Sequence, residues 1–325
     1  MLQFTNANMV DTKIAYINYY IPADEVPVKD YLNTIGDENI PKAFSNKDAY
    51  AGFIKDELNV ETIRIEEELK DHEMLVNTVE QLFIDGAADP SDIDLVILAQ
   101  EEDQRQKLNL GQYIQHEFEL NNAYVLTISG NHCANIDHAI NLATQLGNNN
   151  DKLNNILILG NVKINKPVDR LVGTYGILSD GAGVMLLNKS EKGLALKDCR
   201  AVSAGRFHDI NLDRDDSLIL LKYYIKTIKE LLEKAGVTNA EVDHIITQNA
   251  NPLLITQSLH IAGLDVGKIF SENKSRYAHL DCLDVLVNLK DLIKQLEANQ
   301  STGQVVSFGT GWAGSFISSL YAYNY

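Results

Sequence analysis

The chain has 325 residues and a formal net charge of −17 at pH 7, with 45% hydrophobic and 22% charged residues. This apolar share is ordinary for a globular protein, whereas the negative charge disfavours nucleic acids and anionic membranes as partners, because like charges repel. The sequence has no apolar run of the ~20 residues that span a bilayer, and its N-terminus lacks the pattern of a signal peptide. We therefore expect a cytoplasmic protein with no nucleic acid and no membrane among its partners.

Segments of strand and helix character alternate along the chain, which indicates an α/β layered fold. Short apolar, β-favouring runs predict strands at 13–18, 94–99, 124–128, 155–160, 244–247 and 305–308. Apolar residues at helical spacing predict helices at 72–85, 111–119, after Cys133, and at 217–235, 252–262 and 284–296. Because the second half repeats the pattern of the first, we predict two halves, residues 1–188 and 189–325.

Cys133 lies where a predicted strand gives way to a predicted helix, in the run SGNHCANIDHAINLATQLG. A thiol at a helix N-terminus faces unpaired N–H groups and the positive end of the helix dipole, which favour the thiolate and lower the thiol pKa. We therefore predict that Cys133 is a nucleophile, the alternative being a small, inert core residue. The other cysteines, Cys199 and Cys282, complete no CxxC pair, so free thiols in a reducing compartment are expected.

Two glycine-bearing segments accompany the cysteine: ILSDGAGVMLL at 177–187 and SFGTGWAGSFI at 307–317. Glycines let the backbone pass close to other groups and turn N–H groups into a cavity. One N–H from Cys133 and one from the turn at 309–311 could hold a developing oxyanion. Taken singly, such turns are also common in ordinary hairpins.

A cysteine at a helix start, a DGAG turn, an AN-containing segment after a strand and a Gly-rich C-terminal hairpin together resemble the thiolase-like superfamily. Within it, the chain resembles the β-ketoacyl carrier-protein synthase III group, from Thr12 to the C-terminus. The resemblance implies a five-layered αβαβα fold of two similar halves and a homodimer. It also implies an active-site cysteine that takes an acyl group from acyl-CoA or acyl carrier protein, with no permanently bound cofactor, and Thr310 as the second oxyanion donor beside Cys133.

The chain departs from the condensing synthases at the residues that promote decarboxylation. Their second half carries the motifs HQAN and GN, whereas this chain has TQNANPLL at 247–254 and RYAHLDCLDVLVNL at 276–289. Gln248 thus replaces the histidine, although Ala250 and Asn251 match, and Ala278 and His279 replace Gly-Asn. A glutamine amide does not titrate, so the decarboxylating pair is missing.

His279 and Asp284 introduce a different chemistry. A carboxylate five residues away can orient an imidazole, and an imidazole aimed at a thiol follows the logic of the catalytic triad. The HxxxxD spacing resembles the synthase-III-like acyltransferases of polyketide pathways, which use Cys, His and Asp without carbon–carbon condensation, and Cys133, His279 and Asp284 match. We therefore predict ping-pong transfer to a small-molecule acceptor in secondary metabolism, the alternative being that His279 is structural.

Further residues are predicted to contact substrate. The substrate-binding candidates are Gln248, Asn251, Glu101 and His208; Glu101 follows a strand where the related hydroxymethylglutaryl-CoA synthase carries a catalytic glutamate. Candidates for a pantetheine or phosphate are Lys163, Lys166, Arg170 and Arg206, each of which is alternatively a solvated surface charge. Histidines and cysteines show no zinc spacing, so no metal is expected.

A second function remains open at this point. C-acetyltransferase complexes contain a synthase-III-like supporting chain beside a thiolase-like partner that performs the chemistry. The sequence has no P-loop and no GxGxxG motif, and its negative charge would repel an acidic carrier protein unless a local basic patch offsets it. The donor is therefore a CoA thioester, a carrier-protein thioester or an acyl group delivered by a partner.

Overall fold

The computed structural model describes residues 11–101, 108–190, 192–208, 217–312 and 314–324. The strands in this part of the chain are β1 (Lys13–Tyr20), β2 (Glu25–Pro27), β3 (Thr62–Arg64), β4 (Leu95–Ala99), β5 (Tyr124–Ile128), β6 (Asn155–Val162), β7 (Gly181–Asn188), β8 (Leu194–Ser203), β9 (His244–Thr247), β10 (Thr302–Gly311) and β11 (Ser315–Asn324). The α-helices are α1 (Val28–Asn33), α2 (Lys47–Asp56), α3 (Asp71–Ile84), α4 (Leu110–Glu117), α5 (Asn135–Asn149), α6 (Ser217–Ala235), α7 (Pro252–Ala262), α8 (Glu272–Tyr277) and α9 (Asp284–Ala298).

The main strands are arranged in the order β5-β4-β6-β7-β1-β8-β11-β10-β9. In the first part, β4 runs parallel to β5 and β6, while β7 is antiparallel to both β6 and β1. In the second, β9 is parallel to β10, and β11 is antiparallel to β10 and β8. The two parts join where Lys13 pairs with Ala195 and Ile14 with Leu194 at the β1–β8 junction. These nine strands of the described residues therefore form one hydrogen-bonded sheet, whose parts β5-β4-β6-β7-β1 and β8-β11-β10-β9 are here named the N-terminal and the C-terminal sheet.

Helices lie between and outside these sheets. One core contains buried residues of α5 and α9 together with inward-facing residues of both sheets, such as Ile140, Leu286 and Tyr321. A second core lies between the N-terminal sheet and α3 and α4, and a third between the C-terminal sheet and α6 and α7. The order helix, sheet, helix, sheet, helix confirms the predicted five-layered αβαβα fold.

A smaller unit sits beside the layers. It consists of α1, α2 and the two-stranded antiparallel β2–β3 sheet, and its core around Tyr31, Tyr50 and Ile63 packs against Ile177 and Ala278. This unit was not predicted from the sequence. It packs against the segment that carries His279.

The predicted boundary between residues 188 and 189 falls between β7, which ends at Asn188, and β8, which begins at Leu194. The layer of α5 and α9 takes one helix from each side of this boundary. The division into residues 1–188 and 189–325 stays a prediction. In the part of the chain that the structure describes, none of the helices has both the length and the apolar content to cross a bilayer.

Candidate active site

The nucleophile candidate sits on a tight turn between β5 and α5. Cys133 occupies a 3₁₀ turn, His132–Ala134, that leads directly into α5, and its preceding residue adopts the left-handed conformation with a φ of 47°. Gly311 lies so close to the carbonyl oxygen of Asn131 that a Cβ there would overlap it. The turn is therefore packed against the C-terminal hairpin, and only 8% of Cys133 is exposed.

Glu101, two residues after the end of β4, stabilises this turn through hydrogen bonds. Its Oε1 accepts hydrogen bonds from the backbone N–H groups of Gly130 at 3.0 Å and His132 at 2.7 Å. The same oxygen accepts a third bond from Asn135 Nδ2 at 2.9 Å. The predicted substrate-binding glutamate is thus engaged in holding the nucleophile turn, and binding of substrate by Glu101 stays a prediction.

The structure brings Cys133, His279 and Asp284 into one line of contacts. Cys133 Sγ lies 3.4 Å from His279 Nε2, and His279 Nδ1 lies 2.6 Å from Asp284 Oδ2. Because a carboxylate only accepts hydrogen bonds, the ring donates from Nδ1 and keeps Nε2 for the thiol. His279 is 3% exposed and Asp284 is fully buried, so water competes little for these contacts.

Backbone contacts fix both members of the His279–Asp284 pair. The N–H of His279 donates to the Ile177 carbonyl at 3.2 Å, and its carbonyl accepts from the Ser179 N–H at 2.9 Å. The residue before it, Ala278, has a φ of 56°, which directs the histidine into the interior. Asp284 accepts from the N–H groups of Leu280 at 2.8 Å and Asn249 at 2.7 Å. The carboxylate is therefore held as an acceptor before any substrate binds.

The electrostatics of the thiol differ from those expected. Burial raises the pKa of Cys133 well above the ordinary value, and the nearby carboxylates of Asp281 and Asp284 raise it further. The prediction of a lowered pKa was wrong, because desolvation and two neighbouring negative charges outweigh the helix N-terminus. Burial lowers the pKa of His279, but the charge and hydrogen bond of Asp284 reverse this effect, so the net shift is upward. The thiol therefore needs the adjacent imidazole as a base.

Gln248 connects the nucleophile turn to the C-terminal hairpin. Its Nε2 donates to the carbonyl oxygens of Cys133 and Thr310, both at 2.9 Å, and its Oε1 accepts from the Thr310 N–H at 3.2 Å. In this arrangement the predicted oxyanion donor at Thr310 is bonded to the glutamine amide. Gln248 is buried, and its side chain is used within the protein.

The remaining substrate-binding candidates lie elsewhere. Asn251 caps α7, because its Oδ1 accepts from the Leu254 N–H at 3.0 Å, and its own N–H donates to the Tyr175 carbonyl at 2.8 Å. His208 is exposed and directly follows a 3₁₀ turn, Gly205–Phe207. The structure gives Asn251 a role in helix capping, while a role for His208 in binding stays a prediction.

The four cationic candidates for a phosphate separate into two groups. Arg170 is 3% exposed and forms a 2.6 Å ion pair with Asp180, the aspartate of the DGAG turn, so its prediction as a phosphate ligand was wrong. Lys163 Nζ donates to the carbonyl oxygen of Leu69. Lys166 and Arg206 are exposed. These two side chains are the better placed to meet a ligand from solvent.

Sequence reasoning missed three residues around the triad. Asn249 supports Asp284 through its backbone, and Asn288 Nδ2 donates to the Thr247 carbonyl at 3.0 Å and to Asn249 Oδ1 at 3.1 Å. Asp281 lies beside the thiol of Cys133. Its position two residues after His279, on the same turn, is the signal that could have identified it.

Comparison with known proteins places this geometry in a family context. No protein-family model matches the chain. The chain is 24% identical over 217 residues to β-ketoacyl-[acyl-carrier-protein] synthase III of Aquifex aeolicus (strain VF5), a match that covers 63% of this chain and 69% of that relative.

Solved structures are similar to this chain over a larger share of its length. ChlB3, an acyltransferase, superposes with a TM-score of 0.80 at 16% identity, covering 97% of this chain and 98% of that one. OleA of Xanthomonas campestris, solved with bound lauric acid and lauroyl-CoA, gives a TM-score of 0.77 at 14% identity, covering 96% and 99%. The chain thus has the fold of these solved structures, and its sequence is similar to that of a β-ketoacyl-[acyl-carrier-protein] synthase III.

Proposed function

We propose that the protein is an acyltransferase that carries an acyl group on Cys133, from a CoA or carrier-protein thioester to a small-molecule acceptor. The observation that carries this proposal is the contact line from Cys133 Sγ to His279 Nε2 at 3.4 Å and from His279 Nδ1 to Asp284 Oδ2 at 2.6 Å. A nucleophile, a base and a group that orients the base are thereby within reach of one another. The resemblance to polyketide acyltransferases supports a role in secondary metabolism.

Acylation begins with proton transfer from the Cys133 thiol to His279 Nε2. The thiolate attacks the donor carbonyl carbon, a C–S bond forms, and the tetrahedral intermediate collapses with release of the donor thiolate. His279 returns its proton to that leaving thiolate, so the ring is neutral again in the acyl-enzyme. Asp284 stabilises the transient imidazolium and keeps Nε2 directed at the sulfur.

The oxyanion requires a change at Gln248. The Thr310 N–H now donates to Gln248 Oε1, so it becomes an oxyanion donor when the oxyanion takes the place of that amide oxygen. The exchange breaks the neutral hydrogen bond between the Thr310 N–H and Gln248 Oε1, which costs about 1 kcal/mol. It forms a hydrogen bond between the Thr310 N–H and the charged oxyanion, which is stronger. The Cys133 N–H is the second proposed donor.

Transfer to the acceptor completes the cycle. His279 Nε2 removes a proton from the acceptor, which attacks the acyl carbonyl, and the Cys133 thiolate then leaves and recovers that proton. Decarboxylative condensation is not part of the proposal. Gln248 replaces the histidine that promotes it in the condensing synthases, and its amide does not titrate and is hydrogen-bonded to the Cys133 and Thr310 backbones.

A homodimer is proposed from the resemblance and from one feature of the sheet. β5 is the outermost strand of the N-terminal sheet in the described part of the chain, and Tyr124 at its start is 68% exposed. An open edge strand is a template for pairing with another strand. Pairing of β5 with β5 of a second copy would extend the sheet across both copies.

Intact-protein mass spectrometry with a panel of acyl-CoA and acyl-carrier-protein thioesters tests the proposed function. The wild-type chain is expected to gain one acyl mass, and Cys133→Ala is expected to gain none. Cys199→Ala is the matched control, because Cys199 lies on β8 and is also a free thiol. An adduct that persists in Cys133→Ala would refute the assignment of the nucleophile.

One observation favours a second candidate function, that of a supporting chain in a C-acetyltransferase complex. In the free chain the thiol is buried with a raised pKa, and the Thr310 N–H is engaged by Gln248. Such a site suits a chain that becomes active, or only delivers substrate, beside a thiolase-like partner. Acylation of the purified chain alone favours the enzyme, whereas acylation that begins only after a thiolase-like protein is added favours the supporting role.

A further inference from the structure

Asp281 is a carboxyl residue beside Cys133 that has no role in the acyl transfer proposed above. It begins a 3₁₀ turn, Asp281–Leu283, which contacts the nucleophile turn His132–Ala134. Its φ of 52° lies in the left-handed region, which costs a residue with a side chain on the order of 1 kcal/mol. Backbone strain of this kind is typical of functional sites, where the surrounding structure maintains it.

The carboxyl of Asp281 is only partly satisfied. It lies beside the Cys133 thiol, and its buried Oδ1 has no hydrogen-bond donor among the residues that the structure describes. Both oxygens of Asp284, in contrast, accept hydrogen bonds. A buried acceptor without a donor is costly, so a donor supplied by a ligand would be stabilising there.

Asp281 is less buried than the three residues of the contact line. Cys133, His279 and Asp284 are all buried, whereas Asp281 as a residue is partly exposed, although its Oδ1 is buried. The titratable groups that face its carboxyl are Cys133 and His132 on the nucleophile turn, and His279 and Asp284 on its own segment. The carboxyl therefore lies among the groups that surround the sulfur.

We propose that Asp281 is the residue that binds the acyl acceptor, and that this acceptor is a primary amine. The proposal rests on the acyltransferase function proposed above. In the free enzyme the single thiol hydrogen is directed to His279 Nε2, and Asp281 Oδ1 has no donor among the described residues. Acylation removes the thiol hydrogen, so the acceptor then supplies donors to both His279 Nε2 and the Asp281 carboxylate.

The choice of an amine follows from counting hydrogens. Two hydrogen-bond acceptors flank the sulfur: His279 Nε2, at 3.4 Å, and the Asp281 carboxylate. A neutral primary amine presents one N–H to each, a hydroxyl presents a single O–H, and a carbon nucleophile presents none. The net charge of −17 also favours the approach of an amine in its ammonium form, which must lose a proton to solvent before attack.

The transfer step balances in atoms and protons. The amine nitrogen attacks the acyl carbonyl, a C–N bond forms, and the C–S bond to Cys133 breaks. One N–H proton passes to His279 Nε2 and from there to the departing thiolate. The other N–H stays hydrogen-bonded to Asp281 and leaves with the amide product, so the Cys133 thiol and its contact with His279 Nε2 are restored.

A two-step experiment separates acylation from transfer. Wild type and Asp281→Asn are first acylated with an acyl-CoA, freed of donor and then mixed with a primary amine, the matching alcohol or buffer, while loss of the acyl mass is followed. Asparagine is the substitution of choice because it tolerates a positive φ. Asp48→Asn, which removes a charge from an 82% exposed side chain on α2, is the control.

We expect the wild-type acyl-enzyme to transfer to the amine and form an amide faster than it reacts with the alcohol or water. Asp281→Asn is expected to acylate at least as fast as wild type, to transfer to the amine about 10- to 100-fold more slowly, and to lose its preference over water. Preferential transfer to the alcohol, or an unchanged amine rate in Asp281→Asn, would overturn the proposal. Failure of the wild type to acylate at all would instead refute the proposed function.

Discussion

The substitution Asp284→Asn tests the contacts from Cys133 to His279 and Asp284 while it keeps the shape of the Asp284 side chain. Asp284 Oδ2 accepts from His279 Nδ1 and the Asn249 N–H, and Oδ1 accepts from the Leu280 N–H. An asparagine amide oxygen at the Oδ2 position keeps two of these three bonds. The opposite orientation keeps the bond from the Leu280 N–H, and its NH₂ group bonds to His279 Nδ1 only if the ring changes tautomer, which removes the acceptor Nε2 from the thiol. We therefore expect the NH₂ group to point at the Leu280 N–H, and the His279 ring to keep its orientation.

The expected losses of stability and of rate follow from the hydrogen bonds that this orientation removes. The buried Leu280 N–H then faces the NH₂ group, which is another donor, and this lowers the free energy of unfolding by about 1–3 kcal/mol. The imidazolium loses a hydrogen bond to a charged oxygen, which contributes about 1.5–3 kcal/mol and corresponds to a slowing of Cys133 acylation by about 10- to 150-fold. Because the tautomer is retained, a larger loss is not expected.

The pH dependence supplies an independent check. His279 acts as a base only when neutral, so acylation is lost as the pH falls through its pKa. In the wild type Asp284 raises this pKa against the effect of burial; in the variant burial remains without the carboxylate, so the pKa falls below its ordinary value. The acidic limb of the acylation rate is therefore expected to move to lower pH in Asp284→Asn.

Stopped-flow acylation with an acyl-CoA, measured across pH and followed by intact mass, tests both expectations. Thermal unfolding of the same samples measures the loss of stability. Asp48→Asn serves as the charge control, since its carboxylate is exposed. A wild-type acylation rate with an unmoved acidic limb in Asp284→Asn would refute the role assigned to the His279–Asp284 pair.

Three further predictions concern other buried polar groups. Burial raises the pKa of Asp137 to about 7, so the folded state keeps a proton that the unfolded state releases, and stability falls as the pH rises from about 4 to about 7. Asp137→Asn should therefore raise the melting temperature more at pH 8 than at pH 5, and an equal rise at both would contradict this reasoning. Arg170→Met leaves Asp180 buried without its partner and should cost about 3–5 kcal/mol in a denaturant titration, whereas a cost below 1 kcal/mol would show that the pair is dispensable. Gln248→Ala removes the amide that bridges the Cys133 and Thr310 backbones and should lower the free energy of unfolding by about 1–3 kcal/mol. Acylation should proceed at or above the wild-type rate, because the Thr310 N–H no longer donates to the glutamine, whereas a rate reduced more than tenfold would assign Gln248 a direct role.

The layered fold and the pairing of His279 with Asp284 could be predicted because they depend on local patterns. Helix α5 buries Ile136, Ala139, Ile140 and Ala143, the spacing visible in the sequence, and the same periodicity marks α3, α6 and α9. The five-residue separation of His279 and Asp284 across one turn is itself local. The meeting of that turn with Cys133, 146 residues away, came from the resemblance to a known fold, since spacing alone does not predict it.

What the sequence did not predict depends on neighbours distant in the chain. The partners of Glu101 lie 29 to 34 residues away, and the Asn251 N–H donates to the carbonyl of Tyr175. Arg170 pairs with Asp180 of the DGAG turn, so all of these contacts become visible only when the chain is folded. The pKa of Cys133 is raised, although its position at a helix start predicted a lowered value, because its surroundings also come from distant parts of the chain. A helix start is readable from the sequence, whereas burial and the approach of Asp281 are properties of the packed turns.

Mapping the acylated residue decides whether Cys133 is the nucleophile and His279 its base. The purified chain is incubated with an acyl-CoA, digested under conditions that preserve thioesters, and the acylated peptide is sequenced by mass spectrometry. We expect a single thioester on Cys133 in the wild type that forms far more slowly in His279→Ala. An acyl group found on Cys199 or Cys282 would contradict the assignment of the nucleophile, and acylation of Cys133 at the same rate in His279→Ala would contradict the assignment of the base.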